Sequence, residues 1–280
     1  MAGVGTSYEQ VDGMFVETIL PGADFVEIMP EALAVARGRY PVIPASTLAH
    51  LQEIAAQATL IVHGSGLSIG SHEGWNEDYF RLLDQLLDAV PVAWHSEHLG
   101  FVKVDNQFIG TVLALPRTRE ALDLVAERVR RITDRYPMPF LLENVANLLP
   151  DPPAEMSPAA FLNALSRESG CGLLLDLYNL ECDAHNQSYD PARFLDELAL
   201  ERVAEIHLAG GAERAGLMLD FHSRLSHPRA QLRLPTVLAR APGVAAVVFE
   251  LMPEAVPVLG HAVWAQELRV LRTLVKTSWT

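Results

Sequence analysis

Residues 172–179 read GLLLDLYN, an apolar run of strand length that stops on Asp176. A strand covered on both faces stays apolar from end to end, because a carboxylate taken out of water is costly unless something compensates it. The same ending recurs on either side of this run. Upstream, LIVHG stops at His63, VAWHSEHLG carries His95, Glu97 and His98, and FLLENVAN reaches Glu143 and Asn144. Downstream, VAEIHLAG holds His207, LMLDFHS holds Asp220 and His222, and AVVFEL runs into Glu250. Repetition of this kind marks groups placed for a purpose, and imidazoles mixed with carboxylates point to metal.

Helical segments fill the gaps. Ala121, Leu122, Val125, Val129 and Ile132 fall on one stripe of a helix expected over residues 118–136. Ser157-Pro158 opens PAAFLNALSRES, which stops at Gly170, and Asp190-Pro191 opens PARFLDELAL; each is an N-cap followed by a proline in the first helical position. Residues 76–90 and 263–276 read as helices too. With FVEIMP (residues 25–30) as the first strand and LMLDFHS as the seventh, eight candidate strands recur at roughly thirty-residue intervals, the size of one βα unit. The expected fold is α/β, a TIM (β/α)8 barrel, with residues 1–280 forming a single domain. The segment 224–235, RLSHPRAQLRLP, reads as a loop leading into a helix.

Composition bounds the partners. Against 35 Asp and Glu there are 21 Lys and Arg, a formal charge of −14, with no basic cluster to track a phosphate backbone. Nucleic acid is not expected. Two cysteines, Cys171 and Cys182, build no disulfide framework, and MAGVGTSYEQ has neither a basic nor an apolar targeting stretch. A cytoplasmic chain with no membrane span is the expectation.

In a parallel barrel all strands point the same way, so residues at their C-terminal ends share one mouth. The donors there would be nitrogen and oxygen, a set suited to iron, manganese or zinc, and too numerous for one ion. Singly, each of these residues could equally be a hydrogen-bonded rim group. His207 and Asp176 stand out because each interrupts a continuous apolar run. Asp220 and His222, two apart on an expected strand, would face one way as a chelating pair. His95 and Glu97 share one face and His98 takes the other, so His98 is the expected donor, with His95 and Glu97 in support. Asn144 directly follows Glu143 and Asn179 lies three residues after Asp176, and both would orient these donors or bind as neutral ligands. Glu27 and Glu31 flank the first expected strand and are assigned a supporting role. No catalytic role falls to Cys182.

HGSGLSIGS at His63, SEHLGF from Ser96, LLEN at Glu143, GLLLDLYN followed by DAHN at His185, EIHLAG at His207, the D-x-H of Asp220 and His222, and the terminal Glu250 follow one another in an order that resembles the DUF692 family, the multinuclear non-heme iron-dependent oxidative enzymes. The resemblance runs from about the first strand to the last. It implies a TIM barrel holding two or three iron ions in mixed Fe(II) and Fe(III) states. Such an enzyme uses dioxygen to oxidise a residue, often cysteine, of a ribosomally made precursor peptide, commonly beside a partner protein that captures the peptide's leader. Carried over by motif, the implied ligands are His63, His98, Glu143, Asp176, His185, His207, Asp220, His222 and Glu250. Four departures stand in the pocket motifs: Tyr178 where the family usually has Asn, Gln187 where a His often follows H-N, Leu251-Met252 where the family reads R-D, and the unusual continuation of the D-x-H segment as SRLSHP (residues 223–228). Two other readings stay open: a divalent-metal barrel isomerase or hydrolase, and a metal- or peptide-binding subunit without chemistry of its own.

Overall fold

A computed structural model describes residues 1–8, 13–37, 39–105, 107–151 and 154–278. Eight parallel strands close into a barrel: β1 (Gly3–Tyr8), β2 (Phe25–Ile28), β3 (Thr59–Gly64), β4 (His95–His98), β5 (Phe140–Glu143), β6 (Gly172–Asp176), β7 (Val203–Leu208) and β8 (Ala246–Phe249). Each pairs with the next in sequence, and Gly3 to Thr6 of β1 pair with Ala246 to Phe249 of β8 to complete the ring. The outer helices are α1 (Ala45–Ala55), α2 (Glu77–Ala89), α3 (Arg119–Arg135), α4 (Pro158–Ser169), α5 (Leu177–Asn186), α6 (Pro191–Glu197) and α7 (Pro228–Arg240), and a C-terminal α-helix, His261–Thr277, completes the set. The expected caps are present: the side chains of Thr118, Ser157 and Asp190 accept from the backbone of their first turns, and Gly170 ends α4 in the left-handed conformation at φ 83°.

Two expectations are corrected. LMLDFHS is not a barrel strand: Leu217–Leu219 pairs antiparallel with Ala212–Arg214 in a hairpin above the mouth. The missing eighth strand is β1, whose sequence GVGTSY looks too polar and glycine-rich for a buried strand. The glycines have a packing cause. A Cβ on Gly3 would lie 2.6 Å from a ring carbon of Phe25, and one on Gly5 would lie 2.9 Å from the Phe25 Cβ. Their absence lets that ring enter the barrel. A π-helical turn, Phe15–Ile19, occupies the first crossover in place of a full helix, and the C-terminal helix covers β1, with Trp264 Nε1 donating to Thr6 Oγ1 at 2.9 Å.

Strand parity then positions the site. Phe25, Ile61, Leu141, Leu174 and Val248 pack together inside the barrel as an apolar floor, while the alternate residues Val26, Leu60, Leu142, Leu175 and Val247 pack under the helices. Side chains alternate faces along a strand. Two residues beyond each floor residue, the same inward parity delivers Glu27, His63, Glu143, Asp176 and Glu250. Among the described residues no helix is long and apolar enough to cross a membrane.

Candidate metal centre

The inward donors converge. His63, His98 and Glu143 form one group whose ligand atoms all lie within 4.8 Å of one another; Glu143, Asp176, His207 and Glu250 form a second; His63, His207 and Glu250 a third; and Glu27, Glu205 and His207 a fourth, at the Nε2 side of the His207 ring. His63 Nε2 is 3.2 Å and His98 Nε2 3.3 Å from Glu143 Oε2, and His207 Nδ1 is 2.9 Å from Glu250 Oε2. Asp220 and His222 join from the segment after the hairpin: His222 Nε2 lies 2.7 Å from Asp220 Oδ1 and 3.6 Å from Glu250 Oε2. They arrive in irregular backbone rather than on a strand, with His222 in the left-handed region at φ 45°.

One nitrogen of each strand-borne imidazole is already committed. Ser96 Oγ donates to the Val62 carbonyl and so accepts from His63 Nδ1 at 2.9 Å; the Gly64 carbonyl accepts from His98 Nδ1 at 3.0 Å; Glu27 Oε2 sits 2.9 Å from His207 Nε2. The other nitrogen of each points into the cluster. His63 Nε2, Glu143 Oε2, Asp176 Oδ2, His207 Nδ1, Asp220 Oδ1, His222 Nε2 and Glu250 Oε2 are all buried without a hydrogen bond. So many unsatisfied polar atoms facing one volume fit a site built around cations, and the mixed nitrogen and oxygen set suits a transition ion such as iron, manganese or zinc.

The electrostatics of the metal-free cluster agree. Burial and the neighbouring acids push the Glu143 and Asp176 carboxyls well above the usual carboxylate range. Burial alone would depress His207 and His222, but the facing carboxylates, Glu250 among them, reverse this and hold both imidazoles well above their ordinary value. Glu250 itself, despite its burial, is held low by these two histidines. His63 falls, through burial and the proximity of His98 and His207. A bound cation would supply the missing positive charge and let the acids ionise.

Asn144 and Asn179 brace the acids. Asn144 spans the backbone of Asp176, donating to its carbonyl and accepting from its N–H, each at 2.9 Å. Asn179 donates to Glu143 Oε1 at 3.3 Å, and its own N–H caps onto Asp176 Oδ1 at 2.6 Å.

Three expected residues lie elsewhere. His185 is exposed on the last turn of α5, its Nε2 3.0 Å from the Gly216 carbonyl. Nine residues of helix separate it from Asp176, a rise of about 13 Å, which carries it out of the mouth. His95 and Glu97 face the helices, away from the donors. His95 Nε2 meets Tyr79 Oη at 2.9 Å, and burial lowers its pKa to about 3, so it is neutral. Glu97 accepts from the Leu67 N–H at 3.3 Å, with burial raising its carboxyl well above the usual range. Glu97 thus holds the loop after β3 from behind, and His95 holds α2. The departing residues are also placed: Leu251 is buried in the helix-facing core, Gln187 donates to the carbonyls of Asn147 and Leu149, and Tyr178 Oη donates to the Leu219 carbonyl at 3.2 Å. Ser96 and Glu205 go unread as site residues in the sequence, although each stands two positions before a donor, on the same strand face.

Above the donors opens a cavity of about 450 Å³. Its walls include His63, His98, Asp220, His222 and Glu250, together with the apolar Val112, Val145, Leu148, Phe221 and Met252. The hairpin Gly100–Val104 and Gln107–Ala114 forms part of the rim, where Phe108 is 61% exposed.

Comparison with known proteins gives concordant results. The family model described as "RiPP precursor modification enzyme MbnB/TglH/ChrH" matches residues 1–267. A UPF0276 protein of Rhizorhabdus wittichii is 31% identical over 263 residues, covering 94% of this chain and 90% of that protein. One from Acaryochloris marina is 36% identical over 175 residues, 62% of this chain and 63% of that protein, so this match spans less than two thirds of the relative. Among solved structures, L-ribulose 3-epimerase superposes with TM-score 0.62 at 13% identity, covering 99% of this chain and 96% of that one. Endonuclease IV from Thermus thermophilus superposes with TM-score 0.57 at 19% identity, covering 98% and 99%. At these identities the likeness is one of fold.

Proposed function

The chain belongs to the family of RiPP precursor modification enzymes MbnB/TglH/ChrH, and we propose that it is an iron enzyme acting on a ribosomally made peptide. In this reading it holds two or three iron ions in mixed Fe(II) and Fe(III) states. It uses dioxygen to oxidise one residue of the precursor, often a cysteine, with a leader-binding partner protein. The observation that carries the reading is Glu143, whose carboxylate is common to the group with His63 and His98 and to the group with Asp176, His207 and Glu250. A carboxylate shared in this way suits a bridge between ions. The epimerase and endonuclease fold neighbours add no argument about chemistry.

Bound iron would supply the reduction of dioxygen and the one-electron steps that an unactivated C–H or S–H group requires. The residues of the chain do the rest. His63, His98 and Glu143 would hold one ion, and Asp176, His207 and Glu250, sharing Glu143, a second. Asp220 and His222 reach the outer side of Glu250 and are suited to a third ion or to the substrate's polar end. Ser96 and the Gly64 carbonyl keep the rings of His63 and His98 turned inward by their far nitrogens. The apolar walls limit water around a bound peptide side chain, which strengthens each polar contact inside.

The test loads purified protein with Fe(II) under argon, adds a short cysteine-containing candidate precursor peptide, and follows peptide mass before and after oxygen is admitted. An oxygen-dependent mass change that zinc-loaded protein does not produce is the expected result. Conversion without oxygen overturns the oxidative reading. Preferential retention of manganese or zinc, with no mass change, favours the isomerase or the non-catalytic binder.

A further inference from the structure

His207 differs from His63 and His98 in what secures its far nitrogen. Those two lean on neutral acceptors, a hydroxyl and a carbonyl. His207 Nε2 instead faces two buried carboxylates, Glu27 Oε2 at 2.9 Å and Glu205 Oε1 at 3.4 Å. All three residues are at most 1% exposed, at the bottom of the mouth where no solvent reaches. Glu205 is in turn fixed by Trp94, whose indole N–H donates to its other oxygen at 2.8 Å. Carboxylates flanking a ring nitrogen call for a proton on that nitrogen, and the Nδ1 lone pair is then left for the donor cluster.

We propose that Glu27 and Glu205 are positioning residues that clamp His207 by Nε2, so that Nδ1 is the metal donor of a ring made more basic than its two neighbours. A carboxylate behind a metal-bound histidine fixes the tautomer, orients the ring and strengthens its donation. Two of them, one held by an indole, leave the ring no alternative orientation. The ion on His207 therefore differs electronically from the ion on His63 and His98, although both share Glu143. The inference rests on the metal reading above, but on neither the peptide nor dioxygen.

The experiment titrates metal-free parent, Glu27→Gln and Glu205→Gln with Co(II) under argon and records the visible absorption of each bound ion. Glutamine keeps the size and an acceptor oxygen but cannot ionise. In Glu27→Gln one ion is expected to bind about 10–100-fold more weakly, with a shifted band, while the ion on His63 and His98 keeps its affinity and spectrum. Glu205→Gln, at the longer distance, shifts the same ion less. Equal affinity and spectrum in parent and Glu27→Gln overturn the proposal. So does the loss of one whole ion with the others unchanged, which would put an ion on Glu27 itself. Nitrogen-15 NMR of the His207 ring in zinc-loaded parent, assigned against His207→Asn, needs no Glu variant: Nε2–H is expected, and Nδ1–H overturns the proposal. A parent that binds no Co(II) overturns the metal reading as well, so the two failures are told apart.

Discussion

At Glu143 a single side chain serves two donor groups, and its loss should differ in kind from the loss of a residue that serves one. Glu143→Gln keeps the shape and the contact from Asn179 but removes the charge that both groups share. After anaerobic loading with Fe(II), elemental analysis is expected to find more than one ion lost per chain. His98→Ala, which touches only the group at His63 and Glu143, should lose at most one. Full metal content in Glu143→Gln would show that the shared carboxylate bridges nothing. The same residue shows why the cluster is legible in the sequence. A carboxylate at the end of FLLE has no reason to be there for packing, and the same holds for Asp176, His207 and Glu250. Ser96 and Glu205 were less visible because their partners come from other strands, as with the Val62 carbonyl and Trp94, and only the closed barrel brings those within reach.

At the scale of elements, the barrel strands with bulky apolar residues were legible, and those shaped by a neighbour were not. β1 hides because the volume of its missing side chains is filled by Phe25 from β2, which no local pattern records. Asp220 and His222 reach the site without the strand expected for them. Their segment is carried by the hairpin Ala212–Leu219, which closes against Gly210, Gly211 and Tyr178. A Cβ on Gly211 would fall 1.9 Å from the Leu219 carbonyl oxygen and 2.7 Å from Tyr178 Oη, and one on Gly210 would fall 2.0 Å from the Leu225 carbonyl oxygen. The backbone on both sides must approach that closely for the segment to bend over the mouth. Gly211→Ala should therefore push the segment outward while the barrel stays folded. The expected signature is a loss of about 1–3 kcal/mol in denaturant unfolding, as for other overpacked sites, together with weaker binding of the ion nearest Asp220 and His222. Unchanged metal affinity in a folded Gly211→Ala would mean that this segment takes no part in holding metal. His185 marks the limit of transferring a motif: the resemblance implies it as a ligand from its place after Asp176, but α5 carries it to the surface.

Over the whole molecule, the apolar floor and the donor layer pull in opposite directions. The floor contributes the usual hydrophobic stabilisation, about 1.5–3 kcal/mol for each fully buried Leu, Ile or Val. The layer above it buries acids and imidazoles out of water, several of their polar atoms without a hydrogen bond, a cost that the metal-free fold must absorb. Ions bound only to the folded chain should recover that cost, by about 2.7 kcal/mol for each site at a free concentration one hundred times its dissociation constant. The pH dependence of this gain has a definite sign. Glu143, Asp176, His207 and His222 all have folded pKa values raised above their ordinary values, so without metal each keeps its proton to higher pH than it would in the unfolded chain. Their contribution to the metal-free fold is complete below the ordinary values and is lost as pH climbs through the raised ones. Binding must displace those protons, so metal affinity rises over the same interval in which the metal-free protein weakens. Thermal unfolding with and without Co(II), compared at pH 6 and pH 8 under argon, should show a larger metal-induced rise in Tm at pH 8. A rise that is equal at both values, or larger at pH 6, would mean that these four groups are not the ones that give up protons to the ion.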